Sequence, residues 1–164
     1  MSFDLDEMLT TPTDEMSTDY PTVPEGEYTA RIDDLPEGKP SNWMRPPIRI
    51  NNGPRTGTDM HIMRIPFILL DIEDSVLEAA GFMPGAKPRV NMDLILDMDD
   101  GKLQTGEGRN IKLGQLRDAL DQNTPGWTFA ALSGAGPVRV KVGTRSDRKN
   151  PEIKYTEISR VTKL

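Results

Sequence analysis

Polar and apolar residues alternate in three separate stretches of this chain, and each alternation predicts a half-buried strand. In the first, Tyr28, Ala30 and Ile32 alternate with Glu27, Thr29 and Arg31, after a turn at Pro24 and Gly26. In the second, Val90, Met92, Leu94, Leu96 and Met98 point one way, while Arg89, Asn91, Asp93 and Asp97 point mostly the other. In the third, Val138, Val140 and Val142 alternate with Arg139 and Lys141, and a basic turn leads into a further strand-like run. Between them, "MHIMRIPFILLDI" is a continuous β-branched apolar run that reads as one strand, with Pro66 marking a bulge or an edge. Two stretches follow the helical period instead. "EDSVLEAAGFMPG" predicts a short helix ended by Gly81, and "NIKLGQLRDALDQN" a longer one with Ile111, Leu113, Leu116 and Leu120 near one face.

The predicted order is strand, long loop, strand, short helix, strand, helix and a closing hairpin. Five short strands with a helix before the final hairpin suit a mainly β fold, a small, partly open five-stranded barrel of the OB type. A β-sandwich with helical insertions is the alternative. Residues 36–59 form the long loop, rich in proline and glycine, and loops of that length are usually functional or disordered. Residues 1–21 hold few large apolar groups and many acidic ones, so a disordered or loosely attached arm precedes a domain over 22–164. Phe3, Leu5, Met8 and Leu9 are the exception. Their spacing lines one side of a short helix, a docking motif for a partner.

Charge divides the chain at the same place. Residues 1–37 contain 11 Asp/Glu against Arg31 alone, a net of −10, whereas residues 38–164 contain 19 Lys/Arg against 15 Asp/Glu, a net of +4. An acidic arm on a basic body points to an interaction tail and an anion-binding domain, although a solvated tail has the same composition. The chain has no cysteine, which removes disulfides, thiolate metal sites and cysteine nucleophiles and fits a cytoplasmic protein. No apolar run is long enough to cross a membrane, and the acidic N-terminus lacks the basic and apolar regions of a signal peptide.

Catalytic patterns are scarce. His61 is the sole histidine and lies inside a predicted strand. "TGEGRNIKLG" lacks the Gly-Lys-Ser/Thr ending of a phosphate loop. "DMDDGKLQTGE" resembles a calcium loop, but Lys102 and Gly108 stand where that loop needs glycine and glutamate. No enzyme activity, cofactor or metal is expected. Binding chemistry is better represented, because single strands are held by cations that track phosphates and by aromatic rings that stack bases. The candidate cations are Arg45, Arg49 and Arg55 in the long loop, Arg64 on the next strand, and Arg109 and Lys112 before the helix. The hairpin adds Arg139, Lys141, Arg145, Arg148, Lys149 and Lys154. Trp43 and Tyr155 are the candidate stacking groups. Trp127 and Phe129 read as core, and for Trp43 a cap over the open end of the barrel is the structural alternative.

From Gly106 to Val161 the chain resembles a group of small phage-encoded OB-fold single-stranded-DNA-binding proteins and related phage domains of unknown function. The similarity lies in Asn110, Leu113, Gly114, Leu116, Arg117, Ala119 and Leu120, then Gln122, Asn123, Gly134 and the terminal basic hairpin. Pro24 to Tyr28 and "IPFILLDIEDSVLEAAG" look like the same group. The resemblance implies sequence-independent binding of single-stranded DNA in phage replication or recombination, without catalysis, in the cytoplasm of the infected host. Such proteins commonly recruit phage or host replication proteins through an acidic tail at the C-terminus. Here the acidic segment is N-terminal and the chain ends "RVTKL", so the arm's role does not transfer directly. An oligomer is compatible with this reading. A virion structural or protein-interaction module, and a DNA-mimic inhibitor of a host protein, are the alternatives.

Overall fold

The computed structural model describes residues 3–16 and 20–164. Five strands are long: β1 (Gly26–Ile32), β3 (Asp59–Leu70), β4 (Arg89–Leu96), β7 (Val138–Ser146) and β8 (Lys154–Thr162). Three are two-residue pairings: β2 (Ile48–Arg49), β5 (Met98–Asp99) and β6 (Lys102–Leu103). The helices are α1 (Leu5–Thr10), α2 (Asp74–Ala79) and α3 (Ile111–Ala119). The fold is mainly β. Among the described residues no helix is long and apolar enough to cross a membrane.

The long strands pair in the order β4–β3–β1–β7–β8, each antiparallel to its neighbour, and β2 shares one edge of β3 with β1. Four successive reversals leave the two end strands, β4 and β8, running in the same direction. They pack against each other. No hydrogen-bonded ladder joins them among the described residues, so the sheet curls round without closing. The loop of residues 33–58 between β1 and β3 is less irregular than its composition predicts. It contains two 3-10 turns and the β2 excursion.

The alternating positions turn one side chain set inward, as the pleat requires. Val138, Val140 and Val142 join Ala30, Ile32, Ile65, Phe67, Leu69, Val90, Met92 and Leu94 in the core. Helix α3 adds Leu113, Leu116 and Ala119 and packs on β8. Ile111 does not join them and is 58% exposed. It sits two positions before Leu113, about 200° round a helix of 3.6 residues per turn, so the two cannot share a face.

Two local features refine the strand pattern. Pro66 makes no bulge, because the β3–β4 register runs unbroken from His61↔Leu96 to Ile68↔Arg89. The Pro66 carbonyl accepts from the Asp33 N–H at 2.9 Å, so its missing N–H also faces the β1 side and the β4 ladder loses nothing. The bulge falls instead in β8. Lys141 pairs with Arg160 and Val142 with Ile158, leaving Ser159 as the extra residue. That residue lets Ile158 and Val161 both point inward despite their odd spacing.

The arm carries the expected short helix. The Asp4 carboxylate caps α1 by accepting from the Asp6 and Glu7 N–H groups at 3.1 and 3.3 Å. Phe3, Leu5, Met8 and Leu9 are all exposed, so this helix covers no surface of the body. Within the arm expected over 1–21 the local helix is Leu5–Thr10, while residues 1–2 and 17–19 lie outside the described residues.

Candidate nucleic-acid interface

On the outer wall of the sheet, where β4 meets β8, lies a cleft of about 400 Å³. Its lining is Arg45, Arg64, Asn91, Asp93, Arg145, Tyr155, Thr156 and Glu157. Four strands and the long loop bring these residues together. Arg64 and Asp93 are direct cross-strand partners on the outward positions of β3 and β4. Arg45 is delivered by the long loop, which is tied to β3 by an N–H bond from Arg45 to the Ile62 carbonyl at 2.9 Å and by a Met44↔Met63 bridge. Arg145 and Tyr155 face each other across the β7–β8 ladder.

Asp93 is the centre of the cationic group. It accepts two hydrogen bonds from Arg64, Nε to Oδ1 at 2.9 Å and Nη2 to Oδ2 at 3.1 Å, and Arg45 Nη1 stands 3.7 Å from Oδ2. The Arg64 hydrogen bonds, with the charges of Arg64, Arg45 and Arg145, hold the Asp93 carboxyl below its ordinary pKa against the opposing effect of burial. Arg145 also pairs with Glu157 at 3.7 Å. Three guanidinium groups against two carboxylates leave the cleft with one positive charge in excess. The Tyr155 ring is 47% exposed, and its hydroxyl donates to Asp147 Oδ2 at 3.2 Å, which steadies it across the hairpin turn.

Above the cleft the hairpin concentrates charge. Residues 138–163 hold eight Lys/Arg and three Asp/Glu, a net of +5 that exceeds the surplus of the whole body. Arg148, Lys149 and Lys154 are exposed, and none has a carboxylate partner among the described residues. These groups are free to meet a phosphate.

The remaining predicted site residues lie elsewhere. Trp43 is corrected outright. It is 6% exposed and packs in the core, so it offers no face to a base. Arg49 donates to the Gly57 carbonyl of its own loop and pairs with its cross-strand partner Asp59 at 3.6 Å. Arg55 pairs with Asp97 at 3.5 Å. Arg109 binds Asp97 and, at 3.0 Å, Asp99, so a guanidinium occupies the acidic turn that resembles a calcium loop. Lys112 is exposed on the first turn of α3. Arg139 and Lys141 do point outward, but Arg139 lies six residues before Arg145, about 20 Å along the strand, and pairs with Glu27 at 3.8 Å. Trp127 and Phe129 pack edge to face against each other and, partly buried, against the core, with the Arg117 guanidinium 4.4 Å from the Trp127 ring centre.

Sequence reasoning missed four lining residues: Asn91, Asp93, Thr156 and Glu157. Asn91 and Asp93 carried the one available signal, outward polar positions on a strand next to a basic loop. No family model, no curated protein and no solved structure matches the chain.

Proposed function

We propose that this protein is a non-catalytic, largely sequence-independent single-stranded-DNA-binding protein of phage replication or recombination, built as an OB-type, partly open barrel. The cyclic neighbour order β1–β3–β4–β8–β7, with α3 inserted between β4 and β7, supports that architecture. OB folds take oligonucleotides on the face of their second and third strands and in the loops after the first and fourth. The corresponding places here are the outer face of β3 and β4, residues 33–58 and residues 147–153. The observation that carries the reading is the cleft where the outer face of β3 and β4, Arg45 of the long loop and the strand ends flanking residues 147–153 converge, with Arg45, Arg64 and Arg145 beside an exposed Tyr155. Phosphodiesters take the place of carboxylates on the guanidinium groups, and a base stacks on Tyr155. The unpaired cations of the hairpin supply the first, long-range attraction. In this reading the protein works in the cytoplasm of the infected bacterium.

Anisotropy of a labelled oligo-dT, titrated with protein at rising NaCl, tests this. The expected result is tight binding at low salt, progressive release with salt, and poor competition by duplex DNA. Duplex competing as well as single strand, or no binding at low salt, refutes it. The second reading, a protein-interaction module, is favoured by one feature only, the fully exposed apolar side of α1. Binding of oligo-dT that survives deletion of the arm separates the two.

A further inference from the structure

A carboxylate in the middle of an anion site is a contradiction that charge alone does not resolve. Asp93 lies deeper than the arginines around it: its side chain is 21% exposed, against 40% for Arg64 and 39% for Arg45. It is therefore the floor of the cleft, with the guanidinium groups at its rim. Three cations brought onto one small surface repel one another and, as long flexible side chains, would splay into solvent. Asp93 opposes both effects. Its two oxygens take the Nε and Nη2 edge of Arg64, fixing that guanidinium plane, and Oδ2 also draws in Arg45 from a different element. Both arginines keep other N–H donors for a ligand, since a guanidinium carries five.

We propose that Asp93 is the positioning residue of the interface, a half-buried anion that presets Arg64 and Arg45 to receive one phosphodiester. This rests on the single-strand reading above. It makes a prediction opposite in sign to simple charge counting. Asp93→Asn removes a negative charge from the site, so electrostatics alone predicts tighter binding. Positioning predicts binding weaker by about tenfold, the scale of one lost charge-assisted hydrogen bond.

The experiment compares wild type, D93N and D93E by oligo-dT anisotropy, at a temperature where urea melts show every variant folded. Each is repeated in an R45A/R64A background, and the Arg64 Nε–Hε signal is followed by NMR in the absence of DNA. The expected pattern is loss of affinity in D93N, partial recovery in D93E, and loss of the slowly exchanging Arg64 Hε signal in D93N. In the R45A/R64A background D93N should instead leave binding unchanged or tighten it, because only the charge remains to be felt. If D93N binds as tightly as wild type or more tightly, or weakens equally in both backgrounds, the positioning role falls while single-strand binding stands. If wild type itself fails to bind oligo-dT, the single-strand reading falls and takes the proposal with it.

Discussion

Replacing Arg148, Lys149 and Lys154 together with alanine removes three exposed cations at the hairpin turn and the start of β8, none of which has a carboxylate partner among the described residues. Each such group, on meeting a phosphate of a single strand, contributes about 0.7 to the slope of log affinity against log salt. Three contacts then account for a slope of about 2. Between about 50 and 200 mM salt, a fourfold change, a slope of about 2 corresponds to roughly a 20-fold change in affinity. Arg49 and Arg55 are the internal comparison. They are equally exposed, but each is already neutralised, by Asp59 and by Asp97. A phosphate that displaces those carboxylates releases little net counterion, so the Arg49→Ala, Arg55→Ala variant should keep nearly the whole slope. The assay is oligo-dT anisotropy at five or so NaCl concentrations for the three proteins. An unchanged slope in the triple variant, or an equal drop in the double one, refutes the division into free and latched cations.

Tyr155→Ala should weaken binding by about 1–3 kcal/mol with little change in salt slope, whereas Tyr155→Phe keeps the ring and should be nearly silent in the same titration. Trp43→Ala should cost stability rather than recognition, about 3–5 kcal/mol in urea unfolding, because the ring is core. Val140→Ser should destabilise by roughly 1–3 kcal/mol, while serine at Arg139 and Lys141 should stay within about 0.5 kcal/mol. Acid should act through four carboxyls held below their ordinary values: Asp93 chiefly by Arg64, Asp97 by Arg109, Asp147 by the Lys149 N–H, and Glu25 by Thr144. A group whose pKa is lower folded than unfolded stabilises fully above its unfolded value, and that contribution is lost as pH falls through the folded one. Thermal melts should therefore be flat down to the ordinary values, 4.5 for Glu25 and 3.8 for the aspartates, and Tm should fall below them. A Tm that holds or rises through that range removes these carboxyls from the account.

Much of the sheet is legible in the sequence because strand burial is a local property. Alternate side chains face opposite sides whatever the partner strand, so Val138, Val140 and Val142 announce a core face before any neighbour is known. The short arm helix, the longer helix that becomes α3 and the segregation of charge are equally local. Partnership is not. Arg64 meets Asp93 across 29 residues, and Arg45 meets Arg145 across a hundred, through a register that only the folded sheet specifies. The same limit applies to Trp43, whose loop composition looked exposed until the body folded under it. Ile158 and Val161 read as opposite faces until the bulge at Ser159 brings them to one. The count and sign of the charges were visible along the chain. Which arginines are spent on carboxylates and which remain for a phosphate was decided in three dimensions, because an ion pair depends on distances of a few ångströms and not on separation in sequence.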